Sequence, residues 1–266
     1  MTRVLAALAL VAVVLTTIWW LPPWATPVLA AVAAAMAGFE LAGLGPSGRA
    51  QGPPLQLMFA VPAALFCLAF AVMASSGVPH AIFVVLMASM VAMGTVRLVS
   101  GPPAPIPGAA LGLMALVYVG LPLGALARIQ LVYGPRVLSV LLALVAVSDS
   151  AQYYSGRAFG RRKLAPSISP AKTIEGAIGG LVAASLVGAL LGSRWIPGVS
   201  LAGGAVLGLI LGGVGIVGDL FESLMKRGAG VKDSSHLIPG HGGVLDRIDS
   251  WLFAGPVYYI FLRYLA

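Results

Sequence analysis

The chain is short of charge. Of its 266 residues only 9% are Asp, Glu, Lys or Arg, against about a quarter in an average soluble domain, which excludes an ordinary soluble fold. Acid is the scarcer sign: eight Asp and Glu stand against sixteen Lys and Arg, a formal charge of +8. The single cysteine, Cys67 in AALFCLAFAV, allows no disulfide framework and no cysteine-rich metal site, and it reads as a small apolar packing residue. No Walker A sequence is present, which argues against a P-loop nucleotide site. Nothing resembles a nucleic-acid-binding module. In so apolar a chain the basic excess reflects orientation and anionic lipid headgroups.

What the chain has is hydrophobicity, 59% of it. Apolar runs of about 18 residues or more recur from end to end, each long enough to cross a hydrocarbon core about 30 Å thick. Pro, Gly and charge clusters divide them into nine expected spans, at roughly 4–21, 26–44, 55–75, 79–99, 106–127, 136–154, 173–193, 200–219 and 251–265. The expectation is an all-α, polytopic helical membrane bundle. Trp19 and Trp20 at the far edge of the first run favour a retained span with an aromatic anchor over a cleaved signal peptide. With the N-terminus inside, most Lys and Arg gather at the cytoplasmic ends, leaving only Arg128, Arg136, Arg194 and Arg263 outside. A multi-pass protein of the cytoplasmic (inner) membrane is therefore expected. The same threading puts Glu40, Asp149 and Asp219 near cytoplasmic helix ends.

Charge is also segregated along the chain. Residues 1–148 hold six charged residues and 149–249 hold seventeen. We read a single membrane domain over 1–266, with 1–135 mainly scaffold and 136–266 carrying the chemistry in cytoplasmic loops at 155–172 and 220–250.

Glycine punctuates the later spans. Gly204, Gly208 and Gly212 recur every fourth residue, as do Gly176 and Gly180; this spacing lets helix backbones approach closely, within one chain or between copies in a homo-oligomer. Gly213, Gly215 and Gly218 have dinucleotide-fingerprint spacing but lack the strand that motif requires. Asp219 follows, and if its helix continues, Glu222, Ser223, Lys226 and Arg227 lie along one stripe. Then comes VKDSSHLIPGHGGVLDRIDS. Pro239, Gly240, Gly242 and Gly243 around His241 make a loop whose amides can approach anionic oxygens, and His241 reads as a hydrogen-bond donor to phosphate. Asp246 and Asp249 fall at i and i+3 as the last helix begins. They could simply cap that helix. With Asp219 they also make an oxygen-rich set suited to Mg²⁺, as one ion or more, whose usual partners are carboxylates, water and substrate phosphate. The loop YSGRAFGRRKLAPSISPAKTIEG adds Arg157 and Lys172, suited to an acidic headgroup or a nucleoside triphosphate.

The segment SLMKRGAGVKDSSHLIPGHGGVLDRID, residues 223–249, closely resembles the signature of phosphatidate cytidylyltransferases, the membrane enzymes that make CDP-diacylglycerol. Ser223, Lys226, Arg227, Lys232, Asp233, Pro239, His241, Gly242, Gly243, Asp246, Arg247 and Asp249 occupy matching positions. SGRAFGRRKLAPSISPAKTIEG is also similar, although Ile174 stands where Trp is expected and DSAQYYSG is a looser entry to it. The resemblance runs over about 149–255.

It implies that phosphatidate attacks the α-phosphorus of CTP and pyrophosphate leaves. The nucleophile is already an anion, so catalysis reduces to alignment and charge neutralisation. It further implies Mg²⁺ on Asp219, Asp246 and Asp249, phosphate contacts from Lys226, Arg227, Lys232 and Arg247, and an orienting or cytidine-binding role for Asp233. Two other readings are weighed against it. A CTP-dependent transferase or kinase acting on another lipid would share the chemistry. A transporter or anion channel would instead carry ionisable residues through the bilayer midplane, whereas here they gather at one face.

Overall fold

The computed structural model describes residues 2–45, 53–72, 105–235, 237, 238 and 242–266. The chain is almost entirely helical: α1 Thr2–Trp19, α2 Ala25–Gly43, α3 Pro53–Val72, α4 Pro105–Met114, a π-helical stretch Ala115–Gly120, α5 Leu121–Phe159, a hairpin of β1 Lys163–Ala165 and β2 Ser169–Thr173, α6 Ile174–Val187, a second π-helical stretch Gly188–Gly192 closed by the turn Ser193–Trp195, α7 Leu201–Gly228 and α8 Leu245–Tyr264. Among the described residues four helical segments, Ala25–Gly43, Ala110–Phe159, Ile174–Trp195 and Leu201–Gly228, are long and apolar enough to cross a membrane. This is an all-α, helical membrane fold. The expected span at 79–99 lies outside the described residues.

Two compact units form, one from Met1–Val132 with Ala229–Arg247, the other from Tyr133–Gly228 with Ile248–Ala266. In the first, α2 lies on α3 through small residues. A β-carbon on Gly38 would stand 3.1 Å from the Phe59 carbonyl oxygen and 3.2 Å from the Ala63 β-carbon, so the backbones meet where only hydrogen fits. The π-helical stretch closes on α3 in the same way: a β-carbon on Gly120 would come within 2.8 Å of the Ala63 carbonyl. Cys67, on α3, is fully buried.

The second unit is built on glycine. β-Carbons on Gly204 and Gly208 of α7 would overlap the backbone carbonyls of Gly188 and Ala184, so these glycines serve packing within the chain, as their spacing predicts. Gly176 likewise meets α5, 2.7 Å from the Gln152 carbonyl, and Gly218 meets α8, 2.8 Å from the Asp249 carbonyl. Within α5, Gly134 leaves the helical conformation (φ 83°, ψ 178°) just before Pro135, so the element is two helices joined at a kink.

Two elements exceed the sequence expectation. α5 runs on to Phe159 rather than ending near 154, and α7 runs past Asp219 to Gly228. The segment read as loop 155–172 is therefore a helix end followed by an antiparallel hairpin, with Lys163 opposite Thr173 and Ala165 opposite Ser169. Its base is tied to α6. The Thr173 hydroxyl accepts from the Gly176 amide at 3.1 Å as the helix N-cap, and the Glu175 carboxylate accepts the amides of Arg161 and Arg162 at 3.0 and 3.2 Å.

Candidate functional site

Each unit holds one carboxylate cluster, and α8 contributes a residue to both: Asp246 in its first turn and Asp249 three positions on.

In the first unit, one oxygen of Asp246, Oδ2, collects three donors: the Gly243 amide at 2.7 Å, the Ser234 amide at 3.0 Å and the Ser234 hydroxyl at 2.8 Å. The turn that makes this geometry needs both glycines. Gly242 has φ +80°, a left-handed conformation that side chains resist, and a β-carbon there would meet Asp246 Oδ2 at 2.5 Å. On Gly243 it would overlap the Ser234 hydroxyl and the Glu40 carboxylate. The amide of Gly243 is thus turned inward to Asp246 rather than outward to a ligand. Ile238 donates its amide to the Gly242 carbonyl at 2.9 Å.

Glu40, on α2, is the residue the sequence reading left out of the site. It is buried, 2% exposed, and its Oε1 accepts from the Ser235 hydroxyl (2.7 Å) and the Val244 amide (2.9 Å). Its Oε2 accepts from the Ser234 hydroxyl (3.0 Å) and the Leu245 amide (2.8 Å). A signal was there: Glu40 is the only acid in residues 1–148. The serine pair Ser234-Ser235 carried none.

In the second unit, Asp219 on α7 is paired with Lys172 of β2 at 2.5 Å and receives the Ser223 hydroxyl at 3.5 Å. Asp249 stands just before the apolar stretch of α8 that begins at Trp251. Burial, then the charge of Asp219, with a smaller contribution from Asp149, push its carboxyl up to about 7, while Lys172 and the Ser250 amide pull the other way. The Ser250 amide donates to Asp249 Oδ1 at 2.7 Å, and Gln152 donates to Asp149 at 3.0 Å. Further along α7, Lys226 pairs at 2.5 Å with Glu222, which is wholly buried. Arg227 is exposed and donates to the Ile168 carbonyl of the hairpin turn at 3.3 Å. Lys232, Asp233, Arg247 and Arg157 are exposed, Arg157 donating to the Tyr153 hydroxyl at 3.4 Å. His241 lies outside the described residues.

The donor chemistry fits a hard cation. Asp219 and Asp249 in the second unit, and Asp246 in the first, offer oxygen only. Among the described residues no group of three or more His, Cys, Asp or Glu is arranged as a metal cage. Mg²⁺ does not need one, since it is commonly held by one or two carboxylates, with water and substrate phosphate completing the shell.

The chain matches the Cytidylyltransferase family over residues 1–265. It belongs to that family. Among its relatives, a Haemophilus influenzae phosphatidate cytidylyltransferase is 46% identical over 138 residues, 48% of this chain and 46% of the relative. One from Bacillus subtilis is 38% identical over 154 residues, 56% of each. An Escherichia coli protein described as uncharacterized is 44% identical over 131 residues, 49% of this chain and 44% of the relative. The matched stretches span about half the length of these curated relatives. For a cytidylyltransferase-family chain, carboxylate oxygens with Lys172 beside Asp219 are of the type that phosphate chemistry uses.

Proposed function

We propose that the chain transfers the cytidylyl group of CTP to phosphatidate, giving CDP-diacylglycerol and pyrophosphate, with its site at the cytoplasmic face of the inner membrane. Family membership over residues 1–265 is the observation that carries this reading; relatives named phosphatidate cytidylyltransferase give it its substrate. In the reaction a phosphatidate oxygen forms a bond to the α-phosphorus as the bond to the pyrophosphate oxygen breaks. No proton need be removed from the nucleophile.

The chain's own residues then have to bind, orient and neutralise. Asp219, Asp246 and Asp249 are the candidate ligands of Mg²⁺, as one ion or more, which when bound would supply positive charge to the substrate phosphates and the leaving pyrophosphate. The three donors on Asp246 Oδ2 fix the orientation of that carboxylate before any ligand arrives. Lys226, held by Glu222, and the exposed Arg227, Lys232 and Arg247 are the candidate phosphate contacts, with His241 as a further donor. Asp233 orients the nearby bases or the cytidine, and Ser223, Arg157 and Lys172 are candidate substrate contacts.

Purified protein supplied with Mg²⁺, CTP and a defined phosphatidate should release pyrophosphate, and should do so with CTP in preference to ATP, GTP and UTP. Asp246→Asn retains a carbonyl oxygen for the Ser234 and Gly243 donors but loses the charge, so pyrophosphate release should fall on the order of 10³-fold while the protein stays folded. An Asp246→Asn protein of wild-type activity would remove the metal assignment. A product of different mass from CDP-diacylglycerol would move the assignment to another lipid.

A further inference from the structure

We infer that Glu40 is a positioning residue for the cytidylyltransferase site: from a helix outside the signature segment it holds Ser234, Ser235, Val244 and Leu245 in the arrangement that aims Asp246. The inference rests on the proposed function for what the loop is used for, and on geometry for the rest.

Glu40 faces four donors, two at each oxygen, and all four come from this segment: the Ser235 hydroxyl, the amides of Val244 and Leu245, and the Ser234 hydroxyl, whose single hydrogen it shares with Asp246. Val244 and Leu245 lie at the start of α8, where amides have no partner inside the helix. A carboxylate from α2 thus does for α8 what a capping side chain usually does from within the same chain segment, and its charge suits the positive end of the helix. The second link is Ser234. Its hydroxyl lies within hydrogen-bonding distance of both Glu40 Oε2 and Asp246 Oδ2, so the two carboxylates flank one donor, and the Ser234 amide is committed to Asp246. Moving Glu40 therefore moves the group that orients Asp246. Gly243 completes the fit, because any side chain there would occupy the space of Ser234 and Glu40. A buried carboxylate whose four donors all come from one short segment is more than packing, since an apolar residue would fill α2 at that depth without the desolvation that charge entails.

The test uses Glu40→Gln and Glu40→Asp, with Gly38→Ala as a control that disturbs the α2–α3 contact two residues away without touching the carboxylate. Hydrogen exchange at residues 242–247 and in α3 is measured on the full-length protein in detergent, beside kcat and KM for CTP and phosphatidate. Glutamine presents two hydrogens where the loop presents donors. Exchange at Val244 and Leu245 should rise by about 10-fold or more with α3 unchanged, and kcat should fall by roughly 10- to 100-fold with both KM values within about threefold. Glu40→Asp, one methylene short, should fall between. Gly38→Ala should loosen α3 and spare the 242–247 amides. The inference is overturned if Glu40→Gln leaves loop exchange unchanged, if exchange rises equally in α3, or if the loop loosens while kcat holds. Should the wild type transfer no cytidylyl group, the proposed function falls instead, and the exchange data still decide whether Glu40 clamps the loop.

Discussion

At Gly243 a methyl group would land on the Ser234 hydroxyl and the Glu40 carboxylate, and at Gly242 it would face a backbone held at φ +80°. The two substitutions therefore fail differently. Gly243→Ala should push the loop off Glu40 and lower pyrophosphate release by about 10²-fold, because a displacement of about 1 Å at a reacting centre has that effect. Gly242→Ala should add about 1–2 kcal/mol of backbone strain, read as a lower Tm, to a methyl group 2.5 Å from Asp246 Oδ2 that should lower pyrophosphate release as well. At this scale the sequence was informative about residues adjacent to one another: the glycine run marked a tight turn because its meaning lies within a few positions. Glu40 was not, because it meets Ser234 across 194 residues and only the packing of α2 brings it there. The Gly243 amide misled for a related reason. Its direction is set by a turn whose partner, Asp246, could be read as a ligand but not as an acceptor for the loop.

Helix packing was legible at the scale of elements because glycine every fourth residue has one strong physical meaning on an apolar helix. Gly208→Leu should drive a side chain into the Ala184 carbonyl and lower stability by about 1–3 kcal/mol or more. Gly228→Ala, where a β-carbon would meet nothing within 4 Å, should stay within about 0.5 kcal/mol; thermal unfolding in one detergent compares the two. The hairpin was not legible. Its strands of three and five residues contain a proline and no clean alternation, and what fixes them is Glu175 gripping the Arg161 and Arg162 amides from α6. That matters for the candidate site because β2 carries Lys172, the partner of Asp219. Lys172→Met should leave Asp219 without this countercharge and reduce turnover by about 10-fold or more, with the hairpin and its Thr173 cap intact by hydrogen exchange.

For the molecule as a whole, low charge and recurrent apolar runs were sufficient to indicate an all-α membrane fold, since segments of that length and composition have few other places to go. The ends of the spans were harder to read, because helices such as α5 continue past the apolar stretch into polar sequence and hydropathy alone does not mark where they stop. The protein should remain in the pellet after alkaline carbonate extraction and enter solution only with detergent. Chelation with EDTA should abolish pyrophosphate release, and excess Mg²⁺ should restore it. The buried thiol of Cys67 has a practical corollary: maleimides should pass over the native chain. α7, 28 residues long and so about 42 Å from end to end, exceeds the hydrocarbon thickness. Cysteines introduced as Leu201→Cys and Gly228→Cys would then be the sole labelling sites, one at each end of a single rod. The order in which intact and opened cells label them would read out which compartment each end faces.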